Sequence, residues 1–226
     1  MNAIPFQAVT FDVGGTLIEP YPSVGHVYAE VAVRHGHGNL SPTLLNQRFE
    51  EAWRGRKKFG YTLTAWSQLI EQTFAGLTEK ETTDAFFSEV YRAFESPSAW
   101  RVFPDVLPAL NELHQLDLKL GVISNWDERL RPLLERLQLA EHFQVVIVSI
   151  ELGAHKPEPE IFREASKRLG LPPRSILHIG DSELEDYQGA KRAGFDALRI
   201  DRRGPSDSQR FSSLAQMGER CQALRN

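Results

Sequence analysis

The 226 residues are 41% hydrophobic and 25% charged, enough for one domain, or one domain with an insertion, around a core that needs no staples. A net charge of −4 offers no basic field to nucleic acid or an anionic membrane, and the lone Cys221 excludes an internal disulfide and favours a reducing compartment. The opening residues lack a signal peptide's basic and apolar regions and no run is long enough to span a membrane, so a cytoplasmic protein is expected.

The first strand is expected at 7–12, "QAVTFD", and runs into the glycine turn of "FDVGGTL" (11–17). Residues 18–98 show no convincing strand, only helical patterns. "SPTLLNQRFEEAWRGRKK" has Ser41 as cap and Pro42 at the first helical position, and "TEKETTDAFFSEVYRAF" is expected to begin a helix at Thr78. Some eighty residues are too many for a crossover, and an insertion at a strand's C-terminal end would lie above the ligand-binding edge of a sheet. The division expected is a core of 1–17 and 99–226 with an all-helical cap at 18–98, "ESPSAW" (95–100) forming the return.

Beyond the cap, apolar runs at 118–124, 143–149, 175–181 and 196–201 alternate with helical stretches at 104–116, 127–139, 158–170 and 183–194. Asp105 and Asp127 are the expected caps of the first two helices, and Gly170 and Gly194 close the last two. The runs are almost uniformly apolar rather than alternating, which suits strands covered on both faces. The fold class is therefore α/β, a doubly wound parallel sheet of Rossmann-like type with an inserted helical cap. The tail after Asp201 reads as a polar loop and a final helix.

Each strand is followed by a residue able to do chemistry: Asp12, then Ser124 and Asn125, then Lys156, then Asp181 with Asp186 beyond it. In an open parallel sheet these ends share one edge, where ligands bind. Two carboxylates about 4 Å apart repel by roughly 4 kcal/mol at an effective dielectric of 20, so such a cluster calls for a cation, and hard oxygen donors favour Mg²⁺. Each residue also has a plainer use. Asp12 before two glycines suits a turn, Ser124 and Asn125 a helix-start loop, Lys156 a solvated loop, Asp181 a helix cap and Asp186 a surface position favoured by the helix dipole.

The ordered series "FDVGGTL", "VISNWD", "GAHKPEPEIF" and "HIGDSELEDYQGAKRAG" resembles the haloacid dehalogenase-like hydrolase superfamily, in its members with a helical cap after the first strand, over nearly the whole chain. The resemblance implies a Mg²⁺-dependent hydrolase, most often a phosphatase of small phosphorylated molecules, acting as a monomer or homodimer. In it Asp12 matches the nucleophile and a metal ligand, Gly14 a carbonyl ligand to the metal, and Asp181 the acidic metal ligand. Ser124 and the loop toward Asn125 match the phosphoryl-binding groups, Lys156 the neutralising lysine, Thr16 a support of the nucleophile loop, and Asp186 a group that orients water or Lys156.

The departure is at Gly14. Phosphatases of this family usually carry there a second aspartate that protonates the leaving oxygen and later activates water. Such assistance is worth about 10²–10⁴-fold, so simple alkyl phosphates should turn over weakly, and aryl or acyl phosphates should suffer less. Two alternatives follow: a scaffold kept for binding with little catalysis, and a non-phosphatase hydrolase such as a haloacid dehalogenase. "DVGGT" lacks the bulkier dehalogenase loop, and a phosphonatase would need a cap lysine, for which only Lys57 and Lys58 stand available. His26 and His155 are weighed as substitutes for the missing acid. His35 and His37 read as a polar loop rather than a metal site, Trp53, Trp66 and Trp100 as packing residues, and Trp126 as a candidate pocket residue.

Overall fold

A computed structural model describes residues 6–56, 59–78, 83–204 and 210–217. Lys57, Lys58, Cys221 and the expected final helix lie outside the described residues. The chain divides into two compact units, one of residues 1–18 and 102–226, the other of residues 19–101.

Among the described residues the first unit is built on six parallel strands: β1 Ala8–Phe11, β4 Lys119–Ser124, β5 Val145–Val148, β6 Ile176–Gly180, β7 Asp196–Ile200 and β8 Arg210–Phe211. Between the first and second of these in sequence come two short strands, β2 Ile18–Pro20 and β3 Trp100–Val102, which pair with each other. The sheet order is β5-β4-β1-β6-β7-β8. In chain order of the sheet strands this is 3-2-1-4-5-6, the Rossmann arrangement, with the reversal at β1. Register is continuous through the centre, Phe11 lying opposite Val122 on one side and Ile179 on the other. The side chains of β1 and β6 are buried along their whole length, as strands covered on both faces must be.

The crossover helices are α5 Val106–Gln115, α6 Leu130–Arg136, α7 Ser149–Leu152, α8 Pro159–Leu169 and α9 Gly189–Arg192. Ile123, Ile147, Ile161, Phe162, Ile176 and Phe195 form much of the buried cluster between α8 and the sheet. Helix α8 ends at Gly170 and the α9 turn at Gly194, both left-handed, as expected.

Several expectations are corrected. Strand β2 lies within a segment expected to hold none, and β8 was not anticipated; at two or three residues, neither makes a recognisable apolar run. Asp105 stands at the start of α5 but makes no capping bond, because its carboxylate accepts from Arg202, Ser213 and the Leu214 amide. Asp127 does not cap α6 either. It is buried, it pairs with the Arg129 guanidinium through both oxygens at 2.8 and 2.6 Å, and the helix starts three residues later than expected.

Among the described residues the second unit holds four α-helices, α1 Val24–Arg34, α2 Pro42–Gly55, α3 Leu63–Phe74 and α4 Asp84–Ala93. Tyr28, Val31, Leu45, Ile70, Phe74 and Phe86 make its core. Every one of these helices begins on a Ser or Thr whose side chain accepts from the backbone three residues on: Ser23, Ser41, Thr62 and Thr83. The last start therefore belongs to Thr83 rather than Thr78, because it is Thr83 that offers an oxygen to the Phe86 amide. His35 pairs with Glu89 at 2.6 Å, and His37 is buried edge-on to Phe86 with its Nδ1 3.1 Å from the Thr78 hydroxyl. Trp53 stacks on Trp66, and Trp100 donates to the Phe94 carbonyl while its ring meets Phe94. Among the described residues no helix is long and apolar enough to cross a membrane.

Candidate active site

All the chemistry-bearing ends of β1, β4 and β6, with the loop after α7, meet around the ammonium of Lys156. Its Nζ donates to Asp12 Oδ1 and to Asp186 Oδ1, each at 2.6 Å, and only 1% of its side chain is exposed. Ser124 Oγ donates to the same Asp12 oxygen at 2.9 Å. A hydroxyl has one proton, so this bond and a bond to an incoming oxyanion are alternatives for Ser124.

Beneath Asp186 lies His178, fully buried, with Nε2 3.1 Å from Asp186 Oδ1 and Nδ1 3.0 Å from Thr10 Oγ1. An ionised carboxylate only accepts, so Nε2 carries the proton and Thr10 donates to Nδ1. The second Asp186 oxygen accepts from the Ser182 amide at 2.9 Å. Both oxygens of Asp186 are thus engaged by protein donors, which suits it to holding Lys156 in place.

Asn125 braces the lysine loop: its Oδ1 accepts from the Lys156 amide at 2.7 Å, and its Nδ2 donates to the Lys156 carbonyl at 2.9 Å and to Glu185 at 3.2 Å. The side chain of Asn125 is thus committed to the lysine loop, and the contact expected with a phosphoryl oxygen falls to the backbone amides beside it. The Thr16 hydroxyl is buried with no partner among the described residues, whereas its backbone carbonyl accepts from Arg202.

Local sequence makes this packing possible. Gly15 has φ +72°, and a β-carbon there would stand 2.6 Å from Asp181 Oδ2, so the glycine supplies both the left-handed turn and the room for that carboxylate. A β-carbon on Gly180 would fall 2.1 Å from the Asp186 carboxyl carbon. After Ser182, which caps the next segment in place of the expected Asp181, residues Glu183–Gln188 form a π-helical turn that continues into α9. Such widened turns recur at functional sites. This one carries Asp186 at its fourth residue, back toward the end of β6.

Burial drives the Asp12 carboxyl upward against the opposing pull of Lys156. Lys156, although desolvated, is held above its ordinary value by Asp12 and Asp186. Asp186 is desolvated too, but Lys156 and His178 hold it well below the carboxylate range, while burial lowers His178. Asp181 keeps contact with solvent, yet burial of its carboxyl, with Asp12 and then Asp186 adding repulsion, pushes it up to about 8.

One ammonium therefore faces three carboxylates. Asp12, Asp181 and Asp186 each offer an oxygen, all within 4.8 Å of one another, and no other such group of acids, histidines or cysteines occurs among the described residues. Like charges at that spacing repel by roughly 3–4 kcal/mol at an effective dielectric of 20. A hard cation relieves that repulsion and an all-oxygen donor set is what it prefers, so the residues fit a divalent metal.

The structure thus brings together Asp12, Ser124, Lys156, Asp181 and Asp186, with Asn125 bracing them. The sequence reading missed His178, Thr10, Glu185 and the two glycines that make room. Strand periodicity carries the missing signal for the first two: Thr10 and His178 are register partners, and each stands two residues before a position at the site, Asp12 and Gly180. Of the weighed histidines, His26 bonds Ser23 at 2.7 Å, and His155 pairs with Glu158 at 3.3 Å. The space beside Gly14 is met instead by Trp126, whose Cζ3 lies 3.4 Å from where a β-carbon would stand.

A family model described as haloacid dehalogenase-like hydrolase matches residues 6–194. The haloacid dehalogenase-like hydrolase domain-containing protein 3 of Bos taurus is 34% identical, the match covering 95% of this chain and 90% of the bovine protein. Phosphoglycolate phosphatase of Salmonella typhi is 27% identical over 83% of this chain and 78% of its own. Among solved structures, the HAD-hydrolase YfnB of Bacillus subtilis, determined bound to magnesium, superposes with a TM-score of 0.79 over 96% of this chain and 98% of its own; at 16% identity that likeness is one of fold.

Proposed function

The chain belongs to the haloacid dehalogenase-like hydrolases, and from that premise we propose that it is a Mg²⁺-assisted phosphatase of a small phosphorylated molecule, with Asp12 as nucleophile. The observation that carries this reading is the 2.6 Å contact of buried Lys156 with both Asp12 and Asp186, inside a group of three acids whose oxygens lie within 4.8 Å of one another. Phosphatases among the relatives support the substrate class.

Asp12 attacks phosphorus, forming an acyl-phosphate as the bond to the leaving oxygen breaks. Lys156 fixes the rotamer of Asp12 and supplies positive charge beside the transferring group, and Asp186, backed by His178, keeps that ammonium in position. Ser124 turns its proton from Asp12 to a phosphoryl oxygen. Asp12 and Asp181, with the Gly14 carbonyl, would hold the cation, which supplies charge neutralisation between nucleophile and phosphoryl group. Water then attacks phosphorus and the carboxylate is regenerated. Thr16 supports the loop, and Gly14 offers no proton to either half of the reaction.

Incubation with Mg²⁺ and an aryl phosphate tests the reading. Phosphate release should exceed that of an Asp12→Asn control by roughly 10³-fold or more, and the absence of any difference across a broad panel of phosphate esters would refute it. Gly14 supports a second reading, a scaffold retained for binding. Under it Gly14→Asp restores a large phosphatase rate to a site otherwise intact; under the first reading the parent chain already turns over weakly basic leaving groups.

A further inference from the structure

Glycine at position 14 is not demanded by the backbone. Its φ lies outside the left-handed range, the residue is half-buried, and a β-carbon would meet one heavy atom within 4 Å, Trp126 Cζ3 at 3.4 Å. The first atoms of any side chain there would point toward an indole edge. Trp126 is in turn anchored from below. Its amide donates to Ser149 Oγ at 3.0 Å, its carbonyl accepts from the same hydroxyl at 3.0 Å, and the Ile150 amide adds a third bond at 3.2 Å. Next along the chain the buried Asp127–Arg129 pair stiffens the loop. The main chain of Trp126 is thus fixed, and its half-buried ring stands beside the position from which this family usually protonates the departing oxygen.

We propose that Trp126 and Gly14 together form the leaving-group wall of the site and select phosphate monoesters whose leaving group presents a ring-sized flat face to the indole and departs without a proton, that is, aryl or conjugated enol phosphates, over alkyl phosphates. This rests on the phosphatase reading and sharpens it. An aryloxide or enolate carries the electron pair of the broken P–O bond itself and takes its proton later from solvent, so the missing acid costs it little. An alkoxide does not, and it forfeits most of the 10²–10⁴-fold that a positioned acid contributes. The flat leaving group lies against the indole, where the carboxylate would otherwise be. Asp12 accepts the phosphoryl group, water attacks phosphorus, the P–O bond to Asp12 breaks with its electron pair returning to the carboxylate, and the water's proton leaves to solvent. No base stands at position 14 to help that second step, so with a good leaving group it becomes the slow one.

The test uses the full chain with Mg²⁺ and three substrates: phenyl phosphate, acetyl phosphate (a good leaving group without a ring) and glycerol phosphate. Phenyl phosphate should give a burst of about one phenol per chain before the steady rate. Trp126→Ala should lower kcat/KM for phenyl phosphate about tenfold, through KM, and leave acetyl phosphate within about twofold, with Trp126→Phe recovering most of the loss. Equal losses on phenyl and acetyl phosphate, or none on either, would overturn the wall while leaving the phosphatase intact. Calorimetric binding of phenylphosphonate and methylphosphonate separates the two claims, because neither needs to turn over. The parent should prefer the phenyl compound about tenfold, and Trp126→Ala should abolish the preference. A preference that survives in Trp126→Ala refutes the wall whatever the activity. A preference lost in that variant, with no phosphate ester hydrolysed, refutes the phosphatase reading alone.

Discussion

The two units begin their helices in different ways. In the helical unit all four starts are closed by a Ser or Thr within three residues, so each helix carries its own N-terminal instruction. In the sheet unit Ser182 caps the turn that leads into α9, but α5, α6 and α8 start without any side-chain cap, although Asp105 and Asp127 stand at hand. Their carboxylates are taken by Arg202 and Arg129 instead. The lesson is that the sheet unit commits its acids to assembly, holding loops or the reaction centre, while the helical unit uses neutral hydroxyls for local order. Charge in the sheet unit is thus coupled across the fold, and perturbing it should cost far more.

That contrast can be broken at several strengths. The largest effect is expected at Lys156. Replacing it by Met leaves Asp12 and Asp186 buried without their partner and should cost about 3–5 kcal/mol in urea unfolding. Added Mg²⁺ should recover more stability in this variant than in the parent, because the cation relieves the same repulsion. A Lys156→Met chain as stable as the parent would show that the charges are not coupled.

Asp105 tests the same idea outside the acid cluster. Its carboxyl is desolvated, but the Arg202 guanidinium, the Ser213 hydroxyl and the Leu214 amide hold it below the usual carboxylate value. A group with a depressed native pKa stabilises above its unfolded pKa, about 3.9 for Asp, and loses that contribution as pH falls through the native value. Asp105→Asn should therefore cost about 2 kcal/mol at pH 7, and the cost should shrink once the pH drops below about 4. A penalty that stays constant from pH 7 to pH 3 would assign Asp105 a purely steric role.

The smallest effect belongs to the helical unit. Thr62→Ala removes the oxygen that accepts from the Ala65 amide at 3.2 Å and should cost about 1 kcal/mol, independent of pH between 5 and 8. Hydrogen exchange should localise the loss to α3. Losses spread into the sheet strands would contradict the self-sufficiency argued for this unit.

These contrasts also explain what was legible beforehand. The central strands were visible because each is a nearly unbroken apolar run, and Ser41 with Pro42 announced α2 from adjacent residues alone. The site acids, Ser124 and Lys156 were visible because a parallel sheet gathers its strand ends at one edge. The two-residue β8 was hidden, and so were the true uses of Asp105 and Asp127, because each depends on a side chain supplied by the fold or on too few residues to make a pattern. His178 and Thr10 were hidden inside apolar strands, where only the two-residue periodicity pointing from them to the site gives them away. The role of Trp126 needed the distance to Gly14, which no spacing in the chain encodes.

The reaction itself can be caught at its first bond. Acid quenching of the full chain with phenyl phosphate and Mg²⁺ during the first turnovers should leave phosphate on the peptide containing Asp12, at most one per chain, rising together with the burst of phenol. Phosphate on any other residue, or sustained turnover with no adduct and no loss in Asp12→Asn, would contradict the account.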